Sequence, residues 1–492
     1  MASKLRPISR RFPDYGWSWP AGKLDHLLKA ALLQDESAAL KLASDYLGEN
    51  DINIVPSREH RLLAAIADRF GSTLSAHPAY VRLAGMQKLL WTRSRLAIHE
   101  AVPALRLMAG SGRNIVLIKG AGRIAVEPAA QRGRMAHDID VLVRPNHVET
   151  AFEVLHENGW VASTGASPQY VKSRLSALQS LNFFKGSFGD IDLHQAAYNV
   201  SQANAEDDIA LWDRAAPAQF CGVDVLVPSP ADRVALAIAH GGLDAHTHSD
   251  WLVDSAVAIS GGEVEWPQFL SVVEKRKIAV PAAIALTYLK LEIGLPVPDE
   301  PLHEIVAIAD RSGPALWSSL LQAKPRTDFG VLSWLSRGLA KQLRLKKMQA
   351  EQEGLLPDVV WSGSRVWSAP PARPATFGLS EKISLPEGSA GKDLQVALLV
   401  KVGIPPVRRR VEMEINSGER HIARLRYRTF TQADGARLLR FDGTIRPEPG
   451  ETLVTLEARP SRQFRDWRDQ ATVATYGALP FQLMSADISP MA

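Results

Sequence analysis

Apolar residues recur at helical spacing through the first part of the chain. Leu24, Leu27, Leu28, Ala31 and Leu32 form one such set, and Leu62, Leu63, Ile66 and Phe70 another. The stretch from Met86 to Met108 continues the pattern and includes Pro103. This spacing predicts a helical region over 1–110, with Pro103 as a kink or restart. The period changes at Asn114. Ile115-Val-Leu-Ile118 is a short β-branched run ending in Lys119-Gly120-Ala121-Gly122, where glycines after a strand let the backbone approach a ligand closely. A second strand, Asp138-Ile-Asp140-Val-Leu-Val143, ends at Arg144-Pro145. Asn146 then stands as a helix N-cap, Val148, Ala151, Phe152 and Leu155 as an apolar stripe, and Gly159 as the terminating glycine. Leu181–Phe184 and Ile191–Leu193 flank the glycine-containing Lys185–Gly189 and predict a β-hairpin.

Helical periodicity returns from Pro230 to about Gly354, in Val234–His240, Trp251–Ile259, Val280–Ile293, Leu316–Ala323 and Val331–Ala350. Trp361 to Phe377 is rich in Pro and Ser and reads as a linker. Beyond it the period is two. Val411, Met413 and Ile415 oppose Arg410, Glu412 and Glu414, Asn416-Ser-Gly418 makes a turn, and Ala423, Leu425 and Tyr427 return. Further turn signals stand at Asp434-Gly435, Asp442-Gly443 and Pro449-Gly450. The chain thus divides into a helical region at 1–110, an α/β (α+β) core at 111–225, a second helical region at 226–355, a linker at 356–377 and an all-β, β-sandwich-like domain at 378–492.

With 492 residues the chain exceeds one hydrophobic core, which agrees with that division. A single cysteine, Cys221, excludes an intramolecular disulfide and a Cys-rich zinc site, and it fits a reducing compartment. Met1-Ala-Ser-Lys-Leu-Arg-Pro leads into no apolar stretch, and no run of about 18 apolar residues follows, so a cytoplasmic protein without a membrane span is expected. The net charge of +4 is too small to argue for nucleic acid by itself. Arg408-Arg409-Arg410 with Arg424, Arg426 and Arg428 form either an anionic-partner surface on the β-domain or a solvated strand face.

The chemistry concentrates at Asp138 and Asp140. Side chains two apart on a strand share a face, so the two carboxylates point together while Ile139 and Val141 point the other way. Adjacent like charges need a cation between them, and a divalent metal is the usual one. Asp192 on the hairpin supplies a third carboxylate, with Asp190 as the alternative and His194 on the same face. Three carboxylates from neighbouring strands, holding one or two Mg²⁺ ions, are what nucleotidyl transfer requires. Lys119-Gly120 reads as a phosphate contact or as a turn with a surface lysine. Arg134 binds phosphate or neutralises the acids, and Arg123 and Lys185 follow the same logic more weakly. The stretch His240-Gly-Gly-Leu-Asp244-Ala-His246-Thr-His248-Ser-Asp250 matches no familiar zinc spacing. His240, Asp250 and Asp254 there are candidate contacts to nucleotide or acceptor.

Residues of about 85–260 resemble an uncharacterised nucleotidyltransferase family of the DNA polymerase-β superfamily. The resemblance rests on Ile118-Lys119-Gly120, Arg134, Asp138-Ile-Asp140-Val-Leu-Val, Gly159-Trp160, Ile191-Asp192-Leu193-His194 and His240…Trp251-Leu-Val-Asp254, in that order. It implies a polymerase-β-like core, a small mixed sheet with helices. It also implies transfer of a nucleoside monophosphate from an NTP, ATP first among them, to an acceptor that is a protein, a small molecule or RNA. By the same resemblance Asp138, Asp140 and Asp192 are the catalytic, metal-binding residues for two Mg²⁺ ions, with Mn²⁺ as a substitute. Lys119, Gly120, Arg134 and Asp254 are the nucleotide-binding ones. One departure stands out: the wider superfamily carries Gly-Ser where Lys119-Gly120 stands here. The alternative to an enzyme is a non-catalytic nucleotide- or ligand-binding assembly protein built on the same core.

Overall fold

The computed structural model describes residues 7–110, 114–162, 171–172, 175, 179–198, 208–244, 250–261, 263–324, 331, 335, 339, 365–367, 379–402, 411–433, 436–460, 478–479 and 481–491. Two compact units emerge: Met1–Gly159 with Gln179–Lys346, and Trp160–Leu178 with Lys347–Ala492.

The first unit opens with helices α1 (Gly22–Leu32), α2 (Glu36–Glu49), α3 (Ser57–Phe70) and α4 (Tyr80–Ala109). Helix α4 runs unbroken through Pro103. The proline removes one helical hydrogen bond, but Ala97, Ile98, Ala101, Ala104, Leu105 and Met108 are buried on both sides of it, and that packing holds the helix together. Strand β1 (Val116–Leu117) leads into α5 (Lys119–Val126), and β2 (Ile139–Leu142) into α6 (Val148–Glu157). The N-cap of α6 is His147, not Asn146, because Pro145–His147 forms a 3₁₀ turn first. Gly159 follows the helix with φ +77°, as a terminating glycine should.

The expected hairpin is present as β3 (Ser180–Lys185) and β4 (Gly189–His194). After α7 (Ile209–Arg214) comes a second hairpin, β5 (Ala216–Phe220) and β6 (Val223–Val227), which the apolar pattern did not announce. Its turn, Cys221-Gly222, takes φ of +50° and +77°, the conformation that Asn-Gly usually signals. Helices α8 (Pro230–Asp244), α9 (Asp250–Ser260), α10 (Trp266–Lys275), α11 (Ala279–Leu291), α12 (Asp299–Asp310) and α13 (Pro314–Ala323) complete the unit.

Six strands of this unit are hydrogen-bonded in the order β3-β4-β2-β1-β6-β5. The sheet is mixed: β2 runs parallel to β4 and β1 parallel to β6, while β1 and β2 are antiparallel. All four residues of β2 are buried, as suits a central strand. The helical core centres on α11, whose residues from Ala279 to Leu289 are all buried. No helix among the described residues is long and apolar enough to cross a membrane.

The second unit is built of β7 (Arg365–Trp367), β8 (Ser380–Ser384), β9 (Leu394–Val402), β10 (Val411–Ser417), β11 (Arg420–Ala433), β12 (Ala436–Ile445), β13 (Leu453–Pro460) and β14 (Phe481–Pro490). Its order, β14-β9-β12-β11-β10-β13-β8-β7, is one continuous sheet rather than the two sheets of a sandwich. Period-two patterning fixes one apolar face per strand and does not say whether the strands divide into two sheets. Here register shifts at Leu399/Val400, Ile415/Asn416 and Tyr427/Thr429 mark irregularities that bend a sheet, and Val396, Leu398, Val400, Met413, Ile415, Phe441 and Phe481 share one core.

The polar face differs from expectation too. Glu412 and Glu414 are buried, with Arg424 on both carboxylates, Arg426 on Glu412 and Arg459 on Glu414. Arg424 and Arg426 are therefore already paired within the sheet. Arg408, Arg409, Arg410, the Arg428 side chain and the Asp434-Gly435 turn lie outside the described residues, as does the segment expected as a linker over 356–377 apart from β7.

Candidate active site

The site begins with the register of two strands. In the parallel pair β2 and β4, Asp140 stands directly beside Asp192. Both are buried, at 2% and 8% exposure. His194, two residues on from Asp192, turns to the same face, and its Nε2 lies 3.0 Å from Asp140 Oδ1 and 2.8 Å from Asp192 Oδ2. From the end of β1, Lys119 Nζ reaches to 2.5 Å from Asp140 Oδ1 and 4.0 Å from Asp192 Oδ2. The cations that like charges on one sheet face require are thus supplied by the chain itself. Asp138, one residue before β2, lines the same cleft, as does Asn182, the cross-strand neighbour of Asp192.

Charge and burial set the protonation of this group. Burial pushes the Asp138 carboxyl up, and the neighbouring Asp140 charge adds to it. Asp190, accepting 3.2 Å from Asn182 Nδ2, is raised to about 7 by burial and by Asp138. Burial, the largest influence, works against the His194 imidazolium and so does Lys119, but the Asp192 charge together with the hydrogen bonds to Asp140 and Asp192 outweighs them and holds that histidine at about 9. For Asp192 the upward push of burial loses to His194 and Lys119, leaving the carboxyl below its ordinary value. Burial likewise opposes the Lys119 ammonium, yet Asp140, Asp192 and Asp138 together raise it.

The strand-to-helix turn is special in its backbone. Lys119 has φ +52°, a left-handed conformation that costs a non-glycine residue on the order of 1 kcal/mol. A Cβ on Gly120 would sit 3.1 Å from both Nη atoms of Arg134, so the guanidinium packs directly against the turn.

Arg134 is itself anchored. Its Nε lies 3.0 Å and 3.2 Å from the two Asp254 oxygens, its Nη2 donates to Asp254 Oδ2 at 3.0 Å, and its Nη1 donates to the Met135 carbonyl at 2.7 Å. Arg123 Nη1 adds a further contact to Asp254 Oδ1 at 3.1 Å. Helix α8 lines the cleft with Arg233, Leu236, Ala237 and His240, and α9 with Trp251, Asp254, Val257 and Ala258, both at helical spacing. Arg61 from α3 completes the wall. The enclosed volume of about 340 Å³ falls within the range of small-molecule sites, roughly 300–1,000 Å³.

Of the residues expected from sequence, Asp138, Asp140, Asp192, Lys119, Gly120, Arg123, Arg134, His240 and Asp254 all line this cleft, whereas Lys185 and Asp190 are not among its lining residues. The Asp250 side chain, His246 and His248 lie outside the described residues. Sequence reasoning gave no role to His194, although its place on the Asp192 face was legible. Arg61 and Arg233 were missed because each belongs to an amphipathic helix, where a polar residue reads as solvent-facing.

The donor set fits a divalent cation. Asp140, Asp192 and His194 each offer a ligand atom, and those atoms lie within 4.8 Å of one another. Among the described residues Asp192 Oδ1 is buried with no hydrogen-bond partner, leaving a carboxylate lone pair unused. Asp140 and Asp192 offer the oxygen donors that a hard ion prefers, and His194 Nε2 would join them only after losing its proton; Asp138, expected as a third ligand, lines the cleft but is not part of this cluster.

Residues 56–292 match the model of a family described as uncharacterised nucleotidyltransferase, a span that contains every residue lining the cleft. No curated protein and no solved structure matches the chain.

Proposed function

We propose that this cleft transfers a nucleoside monophosphate from an NTP, ATP first among them, to a hydroxyl of an acceptor. The reaction forms an acceptor-oxygen–α-phosphorus bond, breaks the α–β phosphoanhydride and releases pyrophosphate and a proton. The observation that carries this reading is the placement of Asp140 beside Asp192 in register, with Asp138 and the Lys119-Gly120 turn on the same cleft. A divalent metal, Mg²⁺ or Mn²⁺, held by Asp138, Asp140 and Asp192 would supply Lewis acidity at the α-phosphate when bound.

The chain's own residues do the rest. Lys119 brings a point cation to the acids, and the Gly120 turn brings backbone close to the phosphates. Asp192, held below its ordinary value by His194, is a good ligand and a poor base, which favours the ligand role. A non-catalytic nucleotide-binding assembly protein is the rival reading. It draws on one observation: Lys119 is ion-paired with Asp140.

The full chain incubated with each α-labelled NTP, Mg²⁺ or Mn²⁺ and fractionated cell extract separates the two. Transfer predicts a labelled acceptor and matching pyrophosphate release, both lost in Asp140→Asn. Nucleotide binding with no consumption in any fraction favours the rival.

A further inference from the structure

The cleft holds more cations than the acids account for, and they are not equally committed. Arg134 has Nε and Nη2 on Asp254 and Nη1 on the Met135 carbonyl, so its fork is already engaged. Arg123 shares the same carboxylate. Arg233 is different. Its side chain lines the cleft, its Nε is buried with no hydrogen-bond partner among the described residues, and no ion pair described for the chain includes it. Burial pushes its guanidinium below the ordinary value, only partly opposed by Glu263, and Arg123 pushes it the same way as burial.

A desolvated, unpaired guanidinium is unfavourable by itself, and an anion supplied from outside removes the penalty. Three guanidiniums, Arg123, Arg134 and Arg233, stand about Asp254; Arg134 and Arg123 are in contact with it, Arg123 also reaches Glu127 at 4.0 Å, and Arg233 feels Glu263 and Asp254 only through space. The planar Arg fork suits a phosphate oxygen pair.

We infer that Arg233 takes the outer negative charge of a polyphosphate, while Asp254 holds Arg134 and Arg123 as positioning residues. This deepens and rests on the nucleotidyl-transfer reading: it assigns the β- and γ-phosphates of the nucleotide to the α8 wall, away from the acids. It also makes Arg233 the residue that separates a triphosphate from a monophosphate.

The test uses the full chain in chelator, so that no metal contributes, and titrates inorganic tripolyphosphate and orthophosphate by calorimetry. Arg233→Ala should weaken tripolyphosphate binding about 10- to 100-fold, Arg233→Lys should recover part of it, and orthophosphate should change far less. Should Arg233→Ala melt well below the wild type, Arg233→Gln, which keeps much of the stem and two N–H donors but not the charge, carries the comparison. Unchanged tripolyphosphate affinity in a folded variant, or no binding by the wild type, overturns the assignment. The transfer assay keeps the two readings apart. Polyphosphate binding through Arg233 without NTP consumption sinks transfer and leaves the subsite standing. Transfer with an unaltered KM for NTP in Arg233→Ala does the reverse.

Discussion

Removing Asp254 should damage the fold before it damages binding. This carboxylate is 14% exposed and receives Arg134, 11% exposed, and Arg123, 14% exposed. Asp254→Ala strands two nearly buried guanidiniums, and breaking a buried pair in this way costs about 3–5 kcal/mol. Taking about 2.1 cal/mol/K of unfolding entropy per residue over the first unit, the melting temperature should fall by roughly 4–7 °C. Asp254→Asn keeps an accepting oxygen and should lose about half as much. Scanning calorimetry on both variants, on Arg134→Ala and on the Asp254→Ala/Arg134→Ala pair completes a cycle whose coupling should exceed about 1 kcal/mol. A residue that instead touched nucleotide would lower NTP affinity and leave the melting temperature in place. That outcome, with additive single variants, would refute the reasoning.

Asp138→Ala and Asp140→Ala should both abolish metal-dependent transfer but part company in thermal scans. Asp138→Ala relieves a repulsion and should hold or raise stability, whereas Asp140→Ala takes from Lys119 and His194 one of their two carboxylates, leaving Asp192, and should lower it by about 1–3 kcal/mol. In turnover assays Asp192→Asn should be far more harmful than Asp190→Asn, and the opposite ranking would move the third carboxylate to the hairpin's other acid. Gly120→Ala should destabilise on denaturant titration, because its Cβ crowds an Arg134 held by charge-assisted bonds worth about 1.5–3 kcal/mol each. In an Arg134→Ala background the same change should become stabilising by up to about 1 kcal/mol through helix propensity, and no sign reversal means the contact is not what forbids alanine.

How much of this was legible in the sequence depended on the reach of each signal. Asp138-x-Asp140, the Lys119-Gly120 strand end and the Asp192 hairpin are local patterns of period two with a glycine attached, and each lies where the pattern put it. The cation partners were not legible in the same way. The Asp192 strand was expected beside β2, but nothing near His194 in sequence gives the parallel register that brings its Nε2 to Asp140. Asp254 was read as a ligand contact, but its two arginines come from 131 and 120 residues away. The β5–β6 hairpin was missed because its first strand, Ala-Pro-Ala-Gln-Phe, is mostly exposed and its turn is Cys-Gly. In the second unit, alternation showed which face of each strand is apolar but not the continuity of the sheet, nor that Glu412 and Glu414 would be covered by arginines.

The pairing of Asp140 with Asp192 has a consequence for how such a protein can diversify. Their separation is set by the backbone ladder between two parallel strands, about 4.8 Å apart, so a one-residue insertion or deletion in either strand would turn one acid to the opposite face. Point substitutions cannot tune that half gradually; it is kept whole or lost. The α8 and α9 wall obeys no such ladder. Leu236, Ala237, Trp251 and Ala258 reach the cleft as single side chains from helices, and each can be exchanged without shifting the acids. Descendants of this chain are therefore free to reshape the helical wall of the cleft by single substitutions while inheriting the paired acids intact.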